Sequence, residues 1–567
     1  MSINQTLDLG VIDRFLETFA AGPPRRQQWL EDSYSNPELF WSQLMATSAA
    51  THGSRARSVA LAKYDFFFDA LSRHGREKQH ALVWFESTGE RRGIRYAELR
   101  DASVLRAHAW RAQGLAVGQC IAIVDTHPLE IATSMLAALK LGLVFSLVPP
   151  TGTELARQRL LNLEPDFVDV GTQYTPLLSG IESPQVTRAT TSSLSEPDLE
   201  SHEYRSEDVV AKLFDPSSSD LCIPQSVTCD QLYLGALRDG VLALGLRPES
   251  TYCAPGFALI DVQPSLWLAG WLWGATFVDL DLAVLEQHPA MITDMAFQSV
   301  GVSVQFRDLI LRSGLNVARL WQSWWRCPAQ ASGTSVWQDF FSMTGVDDIW
   351  TNNLRWQPAR GGCVLFSARR KAHPHPGVWP SAGQPWTLMN PSVPDQPSVQ
   401  DHGLLCLDAA SEELSKATTN LLMKSRNEHF FGKVIHSAHA GYFYPIDMMG
   451  EALAAIDDCA ATSMLVVPAH GGGESIRVVL LVFTKPASDI SEAELTETLR
   501  RRMVGQLGPE YLPDRIEFFS HAPQRDEAGL VDHKWCGRQY LAGALHRKSE
   551  HPIYARLSEL RHRCAAQ

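Results

Sequence analysis

What this 567-residue chain does not contain narrows its chemistry before what it does. Its ten cysteines are scattered singly with no C-x-x-C pair, so neither a zinc site nor a redox dithiol is indicated. They read as core thiols of a reducing compartment. No G-x-S-x-G, Walker loop or H-E-x-x-H occurs, which leaves three common catalytic classes without their residues. Basic residues are also short: 50 Lys and Arg face 63 Asp and Glu, for a net charge of −13. The one basic knot, Arg369-Arg370-Lys371, is brief, so neither nucleic acid nor anionic lipid would meet a concentrated basic face. Two apolar runs, Ile131 to Val148 and Leu266 to Leu282, are broken by Lys140 and Gly142 and by Asp279 and Asp281. Both fit globular core better than a membrane span. Asp8 and Asp13 stand where a secretory signal would carry Lys or Arg, so the expected location is cytoplasmic.

Core material is plentiful, at 45% hydrophobic residues, and the length exceeds one compact core. Between Tyr64 and Pro150, strand-like HALVWFES, GIRYAEL, CIAIVD and VFSLV alternate with helix-like YDFFFDALSRH, RDASVLRAHAWRAQG and LEIATSMLAALKLG. That alternation predicts an α/β region with parallel-type sheets packed by helices on both faces. Beyond Gly432 comes a smaller α+β unit. It comprises a helix around Ile446 to Ile456, the strands SMLVVPA and IRVVLLVFTK joined across Gly471-Gly472-Gly473, and a helix opened by a capping box at Ser491.

One stretch has the position of a phosphate loop without its residues. LFDPSSSDLCIPQS, Leu213 to Ser226, follows the strand-like VVAKLF and precedes a helix-like run from Asp230 to Gly245. Loops of this kind cradle anions with bare backbone N–H groups and a helix N-terminus. Here there is neither glycine nor lysine; Ser217, Ser218 and Ser219 lead into Asp220, a carboxylate that repels phosphate.

Several longer phrases, taken together, carry a resemblance. They are SNPELFWSQL, the run from ELRDASVLRAHAW to FSLVPPTG, RPESTYCAPGFALIDVQPSLWLAGWLWGATFVDLD, WPSAGQP, and YLPDRIEFFSHAPQRDEAGLVDHK. They resemble the adenylate-forming superfamily of acyl-CoA synthetases, peptide-synthetase adenylation domains and luciferases, and most of all acetyl- and acetoacetyl-CoA synthetases. The resemblance implies an N-terminal helical extension (1–57), a large domain (58–431), a small C-terminal lid domain (432–545) and a tail (546–567). It also implies an activity, formation of an acyl-AMP from a carboxylate and Mg-ATP followed by transfer of the acyl group to a thiol.

The family's functional positions, carried over by that resemblance, fall on unexpected residues. The phosphate loop T-S-G-T-T-G-x-P-K falls on Asp215 to Gln225, with its glycines at Ser217 and Asp220 and its lysine at Gln225. The ATP- and Mg²⁺-holding W-W-Q-T-E-T-G-G falls on Arg355-Trp356-Gln357-Pro358-Ala359-Arg360-Gly361-Gly362, so Thr-Glu is replaced by Pro358-Ala359. A weaker match, FSMTG from Phe341, would put Gly345 there instead. No T-G-D precedes Gly432; Lys433 stands for the family arginine, and Ile435 or His436 for the hinge aspartate. The catalytic lysine falls on Leu530, with Lys534 four residues on.

These departures predict a pseudo-adenylating protein with no confident cofactor, one that binds an acyl group or acyl thioester or partners an acyl carrier protein or active synthetase. One alternative is a divergent AMP-forming ligase using ATP, Mg²⁺ and CoA, with Lys534, Lys433 or Arg360 supplying charge. Another is an ATP-independent acyl-thioester enzyme with His436, His439, Cys222 or Cys363 as base or nucleophile. The acyl pocket is expected between Tyr252 and Gly362, where Trp267, Trp271, Trp273, Trp321, Trp324 and Trp325 crowd, although large aromatics mostly serve as core packing.

Overall fold

The computed structural model describes residues 23–48, 63–74, 79–150, 153–186, 188, 199–215, 222–327, 335–369, 379–390, 393–398, 402–407, 418–424, 431–436, 443–445, 453, 456, 458–468, 476–485, 490–506, 512–524 and 531–545. The chain divides into two compact units, Met1–Pro328 with Thr334–Pro385, and Ala329–Gly333 with Trp386–Gln567.

The first unit is α/β. Its strands are β1 (His80–Phe85), β2 (Arg91–Arg95), β3 (Cys120–Val124), β4 (Val144–Leu147), β5 (Phe167–Val170), β6 (Val209–Phe214), β7 (Pro224–Thr228), β8 (Thr251–Cys253), β9 (Thr276–Val278), β10 (Phe297–Gly301), β11 (Trp321–Arg326), β12 (Trp350–Gln357), β13 (Gly362–Arg369) and β14 (Trp379–Pro380). Five of them form a sheet in the order β5-β3-β4-β6-β7, parallel except for β7. The other nine run β14-β13-β12-β11-β10-β8-β9-β1-β2, parallel from β12 to β1. The antiparallel β13 and β14 lie at one edge and β2 at the other.

Both membrane-like runs resolve as buried helix plus buried strand. The helix Pro128–Leu141 is buried at every position from Ile131 onward, stops at Gly142 (φ +76°) and feeds β4. Ser265–Trp273 is buried throughout and feeds β9. A helix enclosed on all sides has no polar face to display. Among the described residues, no helix is long and apolar enough to cross a membrane.

Two boundaries differ from the sequence reading. In GIRYAEL the strand stops at Arg95 and Tyr96 opens the helix Tyr96–Ala112, because the Glu98 carboxylate accepts the Arg95 N–H (2.9 Å) and pins the first turn. In YDFFFDALSRH the helix spans only Phe66–Ala70, capped by Asp65, and continues as a 3₁₀ turn, Ser72–His74.

The second unit holds β15 (Thr387–Asn390), β16 (Val393–Pro397), β17 (His402–Cys406), β18 (Thr418–Lys424), β19 (Phe431–His436) and β20 (Phe443–Pro445) in one sheet. A second sheet holds β21 (Cys459–Pro468), β22 (Ile476–Thr484) and β23 (Arg515–Phe519). β21 and β22 pair antiparallel out to Pro468 and Ile476, as a hairpin requires; Gly471 to Gly473 lie outside the described residues. The helix Glu492–Gln506 opens with the Glu494 N–H donating to Ser491 Oγ (3.3 Å). Its Leu495, Leu499 and Met503 pack on Met464, Val478, Leu480 and Val482.

Candidate functional site

A parallel sheet gathers its carboxyl ends along one edge, and open α/β sheets bind ligands there, where consecutive connections diverge. In the larger sheet that divergence lies between β8 and β10, since β8 leads to β9 on one side while β10 adjoins β8 on the other. The segment leaving β8 approaches the end of β10 closely: Gly256 has φ +77°, and a Cβ there would lie 2.2 Å from Ser303 Oγ. Next to it, Phe257 stacks on Trp325 (4.9 Å), which stacks on Trp356 (6.0 Å), whose indole N–H donates to Ser265 Oγ (3.1 Å).

The turn leaving β12 carries five of the predicted site residues. Trp356 and Gln357 end the strand, Pro358–Arg360 form a 3₁₀ turn, and Gly361 (φ +83°) and Gly362 (φ +130°) lead into β13. Trp356, Gln357, Pro358 and Ala359 are buried and Arg360 is half-buried. The positive φ values require glycine, and so does space, because a Cβ on Gly361 would lie 2.1 Å from the Gln231 carbonyl of the helix Cys229–Leu242. That helix grips the turn through its own ion pair. Arg238 Nε donates to Asp239 Oδ1 (2.7 Å), the Cys363 N–H donates to Asp239 Oδ2 (2.6 Å), and Arg238 Nη2 donates to the Cys363 carbonyl (2.7 Å). Burial raises the Asp239 carboxyl above its ordinary range against the pull of Arg238.

Two of the nucleophile candidates are now placed. Burial, reinforced by Asp239, pushes the Cys363 thiol well above its ordinary range, and its Sγ donates to the Leu365 carbonyl (3.0 Å), so Cys363 reads as an inert core thiol. Cys222 is half-buried, and its carbonyl accepts from Asn162 Nδ2 (3.1 Å).

The phosphate-loop stretch departs from the strand-to-helix expectation. Ser217, Ser218, Ser219 and Asp220 lie outside the described residues. After them comes a strand, β7, with Gln225 paired to Leu213 of β6. The helix starts at Cys229, one residue before the expected run, with its first turn closed by Thr228 and Gln231 (Thr228 N–H to Gln231 Oε1, 3.0 Å). The helix N-terminus is thus capped by its own residues.

In the second unit, Lys433, Ile435 and His436 lie on β19, with Ile435 opposite Tyr444 and His436 opposite Phe443. Lys534 lies on the helix His533–Leu541, while Leu530 and His439 lie outside the described residues.

The tryptophans resolve toward packing. Trp271 donates to the Ala81 carbonyl (3.0 Å), Trp273 to the Leu237 carbonyl (2.8 Å), and Trp324 stacks on Trp337 (5.8 Å). All six are buried, and of the six Trp325 is the one that joins the Phe257–Trp356 stack.

Two arginines escaped the sequence reading. Arg159, on the helix Thr153–Leu163, is 2% exposed and sits over the ring of Phe214 (5.3 Å), the last residue of β6. A cation is thus buried beside the residue just before Asp215 of the phosphate-loop stretch, although nothing in the spacing of ELARQRL marks it. Arg355 is 8% exposed, and its Nη2 is closed off without a hydrogen-bond partner. Its signal lay in the pattern itself, as a cation where the resembled motif has tryptophan.

Neither a protein-family model nor a curated protein sequence matches the chain. Solved structures do. Acetoacetyl-CoA synthetase from Streptomyces lividans matches over 89% of this chain and 88% of its own, with a TM-score of 0.65 and 14% identity. ATP-bound MatB from Rhodopseudomonas palustris matches over 85% and 99%, with a TM-score of 0.62 and 13% identity. The anthranilate CoA ligase AuaEII, solved with anthranoyl-AMP, matches over 85% and 98%, with a TM-score of 0.59 and 15% identity. This chain has the adenylate-forming fold. At such identities the likeness concerns the fold, and the chemistry of the site has to be argued from this chain's own residues.

Proposed function

We propose that the chain is a cytoplasmic pseudo-adenylating protein, an acyl-CoA synthetase-like scaffold that binds an acyl group or acyl thioester, or docks a carrier protein or active synthetase, without ordinary ATP-dependent activation. Residues 432–545 are its small lid domain in this reading. One observation carries it: the turn after β12 keeps the two positive-φ glycines the motif calls for, but buries Pro358 and Ala359 where Thr-Glu would stand. Neither side chain offers oxygen to Mg²⁺, which binds through carboxylates, phosphates and water. The residues at this turn therefore do not fit the metal, and no catalytic step is routed through it. Gln225, neutral at the loop-lysine position, supports the same reading, since phosphoryl transfer is catalysed mostly by stabilising charge.

A divergent active ligase draws support from two facts. A solved structure of similar fold is described as ATP-bound, and Arg159 supplies a buried cation beside Phe214. Calorimetric titration with Mg-ATP and carboxylate-dependent pyrophosphate release separate the two readings. The pseudo-adenylating reading expects neither tight nucleotide binding nor release. Pyrophosphate release that disappears in Arg360→Ala or Arg159→Gln would replace it with the ligase.

A further inference from the structure

Arg355 is the one cation of β12 and stands just before the turn, with a second arginine on the neighbouring strand. Register pairs Arg326 of β11 with Asn353 and Trp324 with Thr351, so strand alternation puts Arg326, Asn353 and Arg355 on one face. Arg326 Nε donates to Asn353 Oδ1 (2.7 Å), and its guanidinium lies over the Trp337 ring (4.5 Å). Arg307, buried as well, lies over the same ring (4.9 Å) and pairs with Asp308 (2.6 Å). Arg355 differs from Arg307: among the described residues no carboxylate comes within ion-pair distance of it, and its Nη2 is buried with nothing to donate to. The neighbouring acid Asp261 accepts from the Ala258 N–H (3.0 Å).

A buried guanidinium cannot escape its cost by losing a proton, and desolvating it without a counter-charge is strongly unfavourable. It also sits where ligands of such sheets bind, at the carboxyl edge, close enough to Cys327 to draw that thiol downward against the burial that pushes it up to about 12.

We propose that Arg355 is an anion-binding residue, the group that holds a carboxylate or phosphate oxygen of the bound acyl ligand at the carboxyl end of β12. This rests on the acyl-binding reading above and deepens it. The shared chemistry is an oxyanion presented to Nη2, whether it comes from a free carboxylic acid or from the phosphates of a coenzyme A thioester.

Thermal unfolding of the full chain tests the assignment, using acetoacetate, benzoate and coenzyme A as probes against sodium chloride at equal ionic strength. The wild type should gain roughly 2 °C or more with at least one probe near saturation. Arg355→Met should abolish the gain, and Arg355→Lys, which keeps the charge without the fork, should retain part of it. A gain with acetoacetate or benzoate identifies a carboxylate, and one with coenzyme A alone identifies a phosphate. Without ligand, Arg355→Met should melt no lower than the wild type. A gain that persists in Arg355→Met, no gain with any probe, or a ligand-free variant that melts lower would each overturn the proposal. Pyrophosphate release measured on the same samples keeps the two ideas apart. Its presence with an Arg355-dependent gain sinks only the pseudo-adenylating reading, and its absence with no gain sinks only this one.

Discussion

At the carboxyl edge of the five-stranded sheet, Arg188 meets Asp169 (2.5 Å), Asp125 and Glu130 (3.5 Å), whereas at the corresponding edge of the nine-stranded sheet Arg355 meets no carboxylate among the described residues. The first arrangement is a charge-paired network, although Arg188 Nη2 and Arg106 Nε are buried without an acceptor among the described residues. Arg106 ties Glu130 (2.6 Å) to Ser134 (2.5 Å), Ser134 reaches Asp169, and Asp125 also accepts the Thr126 and His127 N–H groups (2.7 and 2.9 Å) at the start of the helix Pro128–Leu141. Burial works against the Arg188 charge, yet Asp169 and Asp125 overcome it and hold its pKa above the ordinary value. The ends of β3 and β5 are thereby locked to the helix, leaving little charge there for a ligand to meet. The other edge spends no acid on Arg355, which is what a site for an external anion requires.

Matched substitutions break or sharpen this contrast. Arg188→Met leaves Asp125 and Asp169 buried without their cation and should lower unfolding free energy by about 3–5 kcal/mol, read from urea denaturation. Arg355→Met, the same chemical change, should leave it unchanged or raise it by about 1 kcal/mol. Effects of one sign and similar size would erase the distinction. Intermediate in size is Asp239→Asn, which strands the buried Arg238 but keeps an acceptor for the Cys363 N–H; roughly 2–3 kcal/mol should be lost. A loss below about 0.5 kcal/mol would mean that the turn after β12 does not depend on this clamp.

The first-unit architecture was largely legible because its signals are local. Fully apolar runs such as CIAIV and ATSMLAALKL can only be enclosed, and their alternation forces parallel crossovers. The start of β7 was not legible, since PQSVT has no apolar alternation and is a strand only through its pairing with β6. At the site, the motif-like pattern from Trp356 to Gly362 falls on the turn after β12, and the glycines there follow from contacts with Gln231 and Asp239 on a helix more than 120 residues away in sequence. Arg159 was invisible and Arg355 showed only as a cation in the motif, for the converse reason: whether an arginine is paired depends on which strands and helices end beside it. The tryptophan density suggested a pocket wall, but for Trp271 and Trp273 the indole N–H groups bonded to Ala81 and Leu237 carbonyls mark packing instead.

The smallest effect tests whether the larger edge is polarised as well as unpaired. Asp279 follows β9, four strands from β12 and so about 19 Å from it, too far to neutralise Arg355. Burial, with Asp281 adding to it, raises the Asp279 carboxyl from 3.8 to about 6. A raised acid binds its proton more tightly in the folded state, so this contribution is complete below the unfolded value and is lost as pH climbs through about 6. Asp279→Asn removes that slope. Its stability advantage over the wild type should be near zero at pH ~4 and reach about 1 kcal/mol above pH ~6.5, the modest size reflecting the partial exposure of the residue. Thermal unfolding across that range reads it directly, and a difference independent of pH would place a counter-charge beside Asp279. With the expected slope, the edge repels an anion at β9 and attracts one at β12, which leaves Arg355 as the end where an acyl ligand's oxygens belong.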